Sequence, residues 1–127
     1  MRRITESKGL PAPRFLYTPA IQAGPFVFVS GLIGLDPSTG ELAPSGAFAE
    51  TTQILKNLSV LCAEQAWPLE RMAFARVYCA GVDVGRKVNL AWDGFFERGH
   101  PPARSFAVVH ALPLNAAVEI EFQFVLG

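Results

Sequence analysis

Histidine, cysteine and charged residues are all scarce in this sequence, and each shortage argues against a class of function. The two histidines, His100 and His110, stand far apart and in no metal-ligand spacing, so we expect no metal site. The two cysteines, Cys62 and Cys79, form no CxxC pair, and we interpret them as reduced, buried thiols of a cytoplasmic protein. Only 17% of the residues are charged, against roughly 25% in an average domain.

The charges balance, and the sequence lacks the common cofactor motifs. The sequence contains eleven basic and eleven acidic residues. No basic stripe is present, so we expect no nucleic-acid partner. No apolar run approaches the roughly 18 residues of a membrane-spanning helix. There is no P-loop and no GxGxxG, and Ser30 precedes the first glycine of "SGLIG", so this is not a GxSxG elbow. We therefore expect no cofactor.

Apolar residues, by contrast, are abundant. Half of the 127 residues are hydrophobic, and ten of them are phenylalanine. The length suits a single domain over residues 1–127. A homo-oligomer would hide apolar surface that a monomer exposes, so the composition favours subunits that associate.

The hydrophobic pattern predicts an α+β fold with the element order β-β-α-β-α-β-β. Strands are indicated by aromatic and β-branched runs, and helices by apolar residues at spacings of three and four. The predicted strands are 14–24, 25–34, 73–82, 104–110 and 117–126, and the predicted helices are 47–66 and 86–99. Two helices cannot cover both faces of such a sheet, so we expect both on one face of a mixed sheet and a neighbouring subunit on the other.

The last predicted strand alternates strictly between apolar and polar residues. Val118, Ile120, Phe122 and Phe124 share one side, and Glu119, Glu121 and Gln123 share the other. The apolar side is expected to meet the helices.

Four polar residues interrupt otherwise apolar segments: Tyr17, Ser30, Arg104 and Glu119. An arginine is costly to bury unless it meets an anion, and its planar fork suits a carboxylate. Arg104 therefore either binds a small carboxylate or forms a structural ion pair with Glu119 or Glu121. For Ser30 the alternative is a hydroxyl bonded to the backbone, and for Tyr17 it is a core aromatic. Glu121 is interpreted as solvent-facing or interfacial.

The spacing of the last two strands suggests how Arg104 and Glu119 are related. If residues 104–110 and 117–124 form a hairpin, Arg104 lies near Phe124 and Glu119 opposite Val109. The two charged residues would then be roughly 16 Å apart. They could share a cleft only between two subunits.

Three stretches carry a resemblance to a known family: "VSGLIGLDPSTGEL" (29–42), "PPARSFAVVHALP" (101–113) and "VEIEF" (118–122). They resemble the reactive intermediate deaminase family (RidA, also called YjgF), and the similarity runs from about Arg14 to Phe124. The resemblance implies a chorismate-mutase-like fold and a homotrimer, with the sheets packed inward, the helices outside and ligand clefts between subunits. It also implies hydrolysis of enamine and imine acids, such as 2-aminoacrylate, to 2-keto acids and ammonia without a cofactor.

The resemblance assigns roles to six residues. Arg104 matches the arginine that grips the substrate carboxylate, and Glu119 matches the carboxylate that holds or activates water. The remaining matches are cleft residues, namely Tyr17, Ser30, Asn89 and the backbone of Gly31.

The sequence departs from the family pattern near this site. Leu32 stands where glutamine is common, Phe106 where cysteine or a small residue is usual, and Phe15-Leu16 where Gly-Pro is usual. Leu32 and Phe106 would line a more apolar and narrower substrate cleft. The leading hypothesis is an imine deaminase, and the alternative is a trimeric keto-acid-binding protein without turnover. A third hypothesis is a ribonuclease, which the zero net charge and the two histidines disfavour.

Overall fold

Six β-strands and two α-helices make up the fold in the computed structural model, which describes residues 1–127. The predicted element order is confirmed, with one short strand added at the start of the chain. The elements are β1 (Arg2–Ile4), β2 (Ala20–Ala23), β3 (Phe26–Ile33), α1 (Ala47–Gln65), β4 (Met72–Cys79), α2 (Gly85–Phe95), β5 (Ala103–Val108) and β6 (Val118–Val125).

The first helix follows the predicted periodicity closely. Its buried apolar side chains recur at spacings of three and four, and they are Ile54, Leu55, Leu58, Leu61 and Cys62. The helix ends because Ala66 adopts a left-handed backbone (φ 58°) and turns its N–H back toward the carbonyls of Cys62 and Ala63. Pro68 follows two residues later, where it cannot continue a helix.

The six strands form a single sheet in the order β1-β2-β3-β6-β4-β5. β6 is antiparallel to both of its neighbours, β3 and β4, whereas β5 is parallel to β4. The expected hairpin of β5 and β6 is therefore wrong. The helix α2 supplies the crossover that a parallel pair requires, and it places β5 at the edge of the sheet.

The two faces of the sheet differ in what covers them. On the helix side, Val118, Ile120, Phe122 and Phe124 of β6 are at most 1% exposed, as their alternation predicted. The opposite face, called the open face below, has no second layer in the chain. Phe28 of β3 is 46% exposed there. Neither helix has the length and apolar character needed to cross a bilayer.

β5 lies at the edge of the sheet, so Arg104 does not begin a core strand. All six residues of β5 are exposed. Phe106 and Val108 are among the exposed apolar side chains. A long apolar edge of this kind is a surface on which another chain can pack.

Both cysteines lie in the core and should resist thiol reagents. Cys62 is 2% exposed, and Cys79 is fully buried. Burial raises the pKa of Cys62 to about 12 and also raises the pKa of Cys79. Because the thiolate is the reactive form, we expect neither thiol to react with Ellman's reagent at mildly alkaline pH until the protein unfolds. Both should then react in denaturant. Rapid labelling of one thiol in the folded protein would contradict this placement.

Candidate functional site

The predicted site residues fall into two groups in different parts of the chain. Tyr17, Ser30, Gly31 and Glu119 line a cavity of about 570 Å³, called the glutamate cleft below. Arg104, Asn89 and Phe106 line a separate hollow of about 510 Å³, called the arginine hollow below. Leu32 lies outside both and packs against the hydrophobic core, since it pairs with Ile120 on the helix side of the sheet.

A β-bulge shapes the glutamate cleft. Val29 pairs with Phe122 and Leu32 pairs with Ile120, so Ser30 and Gly31 of β3 oppose one residue of β6. A bulge of this kind changes the direction of side chains and is frequent beside functional sites.

The side chain of Ser30 ties the bulge to the segment before β2. Its N–H donates to the carbonyl of Pro19 (2.9 Å), and its Oγ donates to the carbonyl of Thr18 (2.7 Å). The backbone-bonded alternative for Ser30 is thus present, while the residue also lines the cleft. These bonds fix the segment that carries Tyr17, which is 51% exposed rather than a core aromatic.

Glu119 lies directly against the backbone of Gly31. A Cβ atom at position 31 would overlap the Glu119 carboxylate. Glycine at this position therefore makes room for the carboxylate, and any side chain there would push it away. The bulge and the glutamate form one structural unit.

Electrostatics distinguish the two glutamates of β6. Burial and the neighbouring Glu121 raise the pKa of Glu119. Glu121 accepts a hydrogen bond from the Tyr78 hydroxyl, which raises the pKa of Tyr78, and it lies 3.9 Å from the guanidinium of Arg76. Glu119 has no cation within ion-pair distance. A glutamate whose pKa is raised can exchange protons near neutral pH more readily than an exposed one.

The arginine hollow lies on the helix side of the sheet edge. The guanidinium carbon of Arg104 lies over the rings of Trp92 and Phe106, 5.2 and 5.7 Å from their centroids. Arg104 pairs with no carboxylate, so the proposed ion pair with Glu119 or Glu121 does not form within the chain. Nearby, Asn89 Oδ1 is buried without a hydrogen-bond partner. The hollow thus presents an unpaired cation, and a buried amide oxygen without a partner lies in its wall.

Strand register keeps the two groups apart within one chain. Arg104 lies beside Ala75, and Ala75 lies opposite Phe122, three residues from Glu119 along β6. Two strand spacings and three residues amount to roughly 14 Å between backbones. Arg104 also shares the helix side with Ala75, whereas Glu119 shares the open face with Tyr78. The expected separation remains, although the hairpin that suggested it does not exist.

The structure adds residues that the sequence did not single out. Trp92 of α2 lies beneath Arg104. Arg14 and Leu114 line the glutamate cleft. Phe15, which the sequence marked as a departure from the family pattern, lines it as well. Arg14 donates to the carbonyl of Gly40 at 2.9 Å. No local pattern marks Trp92, Arg14 or Leu114, because the fold alone brings them to the cavities.

The chain is similar over nearly its whole length to a known protein family. The family described as endoribonuclease L-PSP matches residues 8–125. The chain belongs to this family, which includes the RidA and YjgF proteins. It is 33% identical over 127 residues to the mouse 2-iminobutanoate/2-iminopropanoate deaminase, covering 100% of this chain and 93% of the mouse protein. It is 34% identical to an Aquifex aeolicus RutC family protein, covering 95% of this chain and 96% of that one.

A solved structure shows the same fold. A protein from Thermotoga maritima, described as a putative endoribonuclease, superimposes with a TM-score of 0.90 at 34% identity, covering 98% of each chain. The predicted family and the chorismate-mutase-like fold are therefore confirmed.

The raised pKa of Glu119 can be tested by changing its neighbour. Replacing Glu121 by glutamine removes a negative charge close to Glu119 and therefore stabilises the ionised form of Glu119. We therefore expect Glu121→Gln to lower the pKa of Glu119, measured by NMR titration of its side-chain carboxyl carbon. Glu97→Gln, an exposed change beyond the end of α2, should leave that pKa unchanged. An unchanged or higher pKa in Glu121→Gln would contradict the electrostatic assignment.

Proposed function

We propose that this protein hydrolyses 2-imino and enamine acids of the 2-aminoacrylate type to 2-keto acids and ammonia. It works in the cytoplasm without a cofactor, as a homotrimer. One observation carries the proposal. The arginine and the glutamate that match the family's catalytic positions lie in separate cavities, and neither has a counter-charge in its own chain. A neighbouring subunit can bring them together.

In the proposed assembly, the arginine hollow of one subunit closes the glutamate cleft of the next. In a single chain, the surfaces that would meet expose apolar side chains to water. Phe26 and Phe28 on the open face are about half exposed, and so is Val108 on the edge strand. Burying such surface is the usual driving force for association.

The arginine hollow would hold the substrate. Arg104 can grip the substrate carboxylate through two parallel N–H···O bonds. Asn89 also lines this hollow. The contact with Arg104 would fix the carboxylate end of the substrate and direct its imine carbon toward Glu119.

Glu119 would carry the proton transfers. As water attacks the imine carbon, Glu119 takes one of its protons, and a carbinolamine forms. The same carboxyl then returns the proton to the nitrogen and is ionised again. As the C–N bond breaks and ammonia leaves, the carboxylate accepts the proton of the hydroxyl, which becomes the keto group of the product. One water is consumed for each imine. The raised pKa of Glu119 suits a group that must both take and return a proton.

Apolar side chains around the cavities favour a small, uncharged substrate side chain. Phe106 borders the arginine hollow, and Phe15 and Leu114 border the glutamate cleft. The mouse relative's name specifies 2-iminobutanoate and 2-iminopropanoate, whose side chains are ethyl and methyl. We infer that short aliphatic imino acids are the substrates here.

Arg104→Lys should be almost as inactive as Arg104→Ala in imine hydrolysis. Lysine keeps the charge but loses the two-point contact that orients the carboxylate. A charged hydrogen bond contributes about 1.5–3 kcal/mol, and misorientation adds to its loss, so kcat/KM should fall by roughly two orders of magnitude or more. The assay follows keto-acid release from imines generated in place by an amino-acid oxidase.

The stability of both variants should stay near that of the unchanged protein, because Arg104 has no structural ion pair to lose. Full activity with a large drop in melting temperature would overturn the carboxylate-binding role. If the unchanged protein binds 2-keto acids but accelerates no imine, it is the non-catalytic binding protein instead.

Mixing two inactive variants tests whether the site lies between subunits. Arg104→Ala and Glu119→Gln should each be inactive alone. In trimers reassembled from equal amounts of both, a site is intact only when its arginine comes from one variant and its glutamate from the other. Random assembly should therefore restore about a quarter of the normal activity per site.

The control for this experiment mixes Arg104→Ala with an Arg104→Ala, Glu119→Gln double variant, which cannot form an intact site. Sedimentation should show that the mixed sample is trimeric. No restoration in a trimeric, fully exchanged mixture would place both residues in one subunit's site and refute the shared cleft.

A further inference from the structure

The arginine hollow contains an aromatic pair with a role of its own. We propose that Phe106 is a positioning residue, which together with Trp92 orients the guanidinium of Arg104 toward the substrate carboxylate. This inference rests on the proposed function of Arg104. It gives Phe106 a role beyond narrowing the cleft, and it involves Trp92, which the sequence did not single out.

The two rings hold the guanidinium without occupying its hydrogen-bond donors. Both centroids lie within the roughly 6 Å over which a cation is attracted to a ring face. Arg104 donates no hydrogen bond to another side chain and forms no ion pair. Its N–H groups therefore stay free for a ligand while its position is restricted.

The helix α2 supports both rings. Trp92 is 5% exposed and belongs to the core, so its position is fixed by packing. Phe106 lies against Gly85, the first residue of α2, where an added Cβ would come within 2.7 Å of the ring's Cζ. Gly85 and Trp92 are seven residues apart, which places them on the same side of the helix. One rigid element thus sets the position of the whole aromatic pair.

Arg104 needs the support of these two rings because no carboxylate holds its guanidinium in place. A salt bridge would hold Arg104 firmly but would compete with the substrate for the same donors. Aromatic contacts restrict the long side chain before the substrate arrives, so less freedom is lost on binding. Phe106 is 40% exposed, which leaves the guanidinium reachable from the hollow.

The test measures binding of 2-oxobutanoate, a product-like carboxylate, by calorimetry and imine hydrolysis in parallel. Phe106→Leu keeps apolar bulk but removes the ring, and Gly85→Ala keeps the ring but displaces it. Each should weaken binding by roughly threefold to tenfold, the effect expected for losing one cation–π contact. Phe106→Tyr keeps the ring face and should retain most of the affinity. Phe48→Leu, which changes a similarly exposed phenylalanine at the start of α1, is the matched control and should change nothing.

A double variant separates positioning from general packing. If Phe106 acts through Arg104, then Phe106→Leu should weaken binding no further in an Arg104→Lys background, whereas independent effects would add. Additive losses, or affinity in Phe106→Leu equal to that of the unchanged protein, would overturn the proposal. Equal losses in Phe106→Tyr and Phe106→Leu would overturn it as well.

The two proposals fail in different ways. If the unchanged protein binds 2-oxobutanoate through Arg104 but hydrolyses no imine, the deaminase function fails and the aromatic support stands. If Arg104→Lys binds as well as the unchanged protein, Arg104 is not the carboxylate-binding group, and the role of Phe106 falls with it.

Discussion

The central position of β6 determines most of what this chain can do. Hydrogen bonds to β3 on one side and to β4 on the other hold the last strand in the middle of the sheet. Its apolar side anchors the core beneath both helices, and its polar side carries Glu119 and Glu121 onto the open face. Because β6 occupies the place beside β4, β5 is left with a single partner at the edge. Arg104 is therefore placed on an edge strand, while Phe122 lies on a central one.

The β-bulge at residues 30 and 31 makes contacts that a regular strand could not make. In an uninterrupted ladder, residues 30 and 31 would continue the alternation of β3. The bulge instead lets Ser30 bond to the segment before β2 and brings Gly31 beneath the Glu119 carboxylate. The glutamate is then partly shielded from water and lies beside Glu121, which together raise its pKa. Three neighbouring strands thus produce a partly buried carboxyl group with a raised pKa.

The sequence predicted the elements well and their pairing poorly, for a physical reason. Periodicity is local, so the buried stripe of α1 and the alternation of β6 could be derived from a few residues each. Pairing is not local, and proximity in sequence favoured a hairpin of β5 and β6 over the parallel partner reached through α2. The first predicted strand was too long, because residues 14–19 contain aromatic side chains but lie outside the sheet. β1 is only three residues long and carries two arginines, so it left no readable pattern.

Prediction of the site had the same limit. Each chemically important residue was recognisable by type and by its resemblance to a family motif, but its surroundings were not. Nothing in the sequence shows that Trp92 lies beneath Arg104 or that Gly85 makes room for Phe106, since these contacts join a helix to an edge strand.

There is a chemical reason for Arg104 and Glu119 to remain unpaired within the chain. An ion pair between Arg104 and Glu119 within one chain would neutralise both and occupy the donors that a carboxylate needs. Because the two side chains lie on opposite faces of the sheet, both remain available to groups from outside the chain.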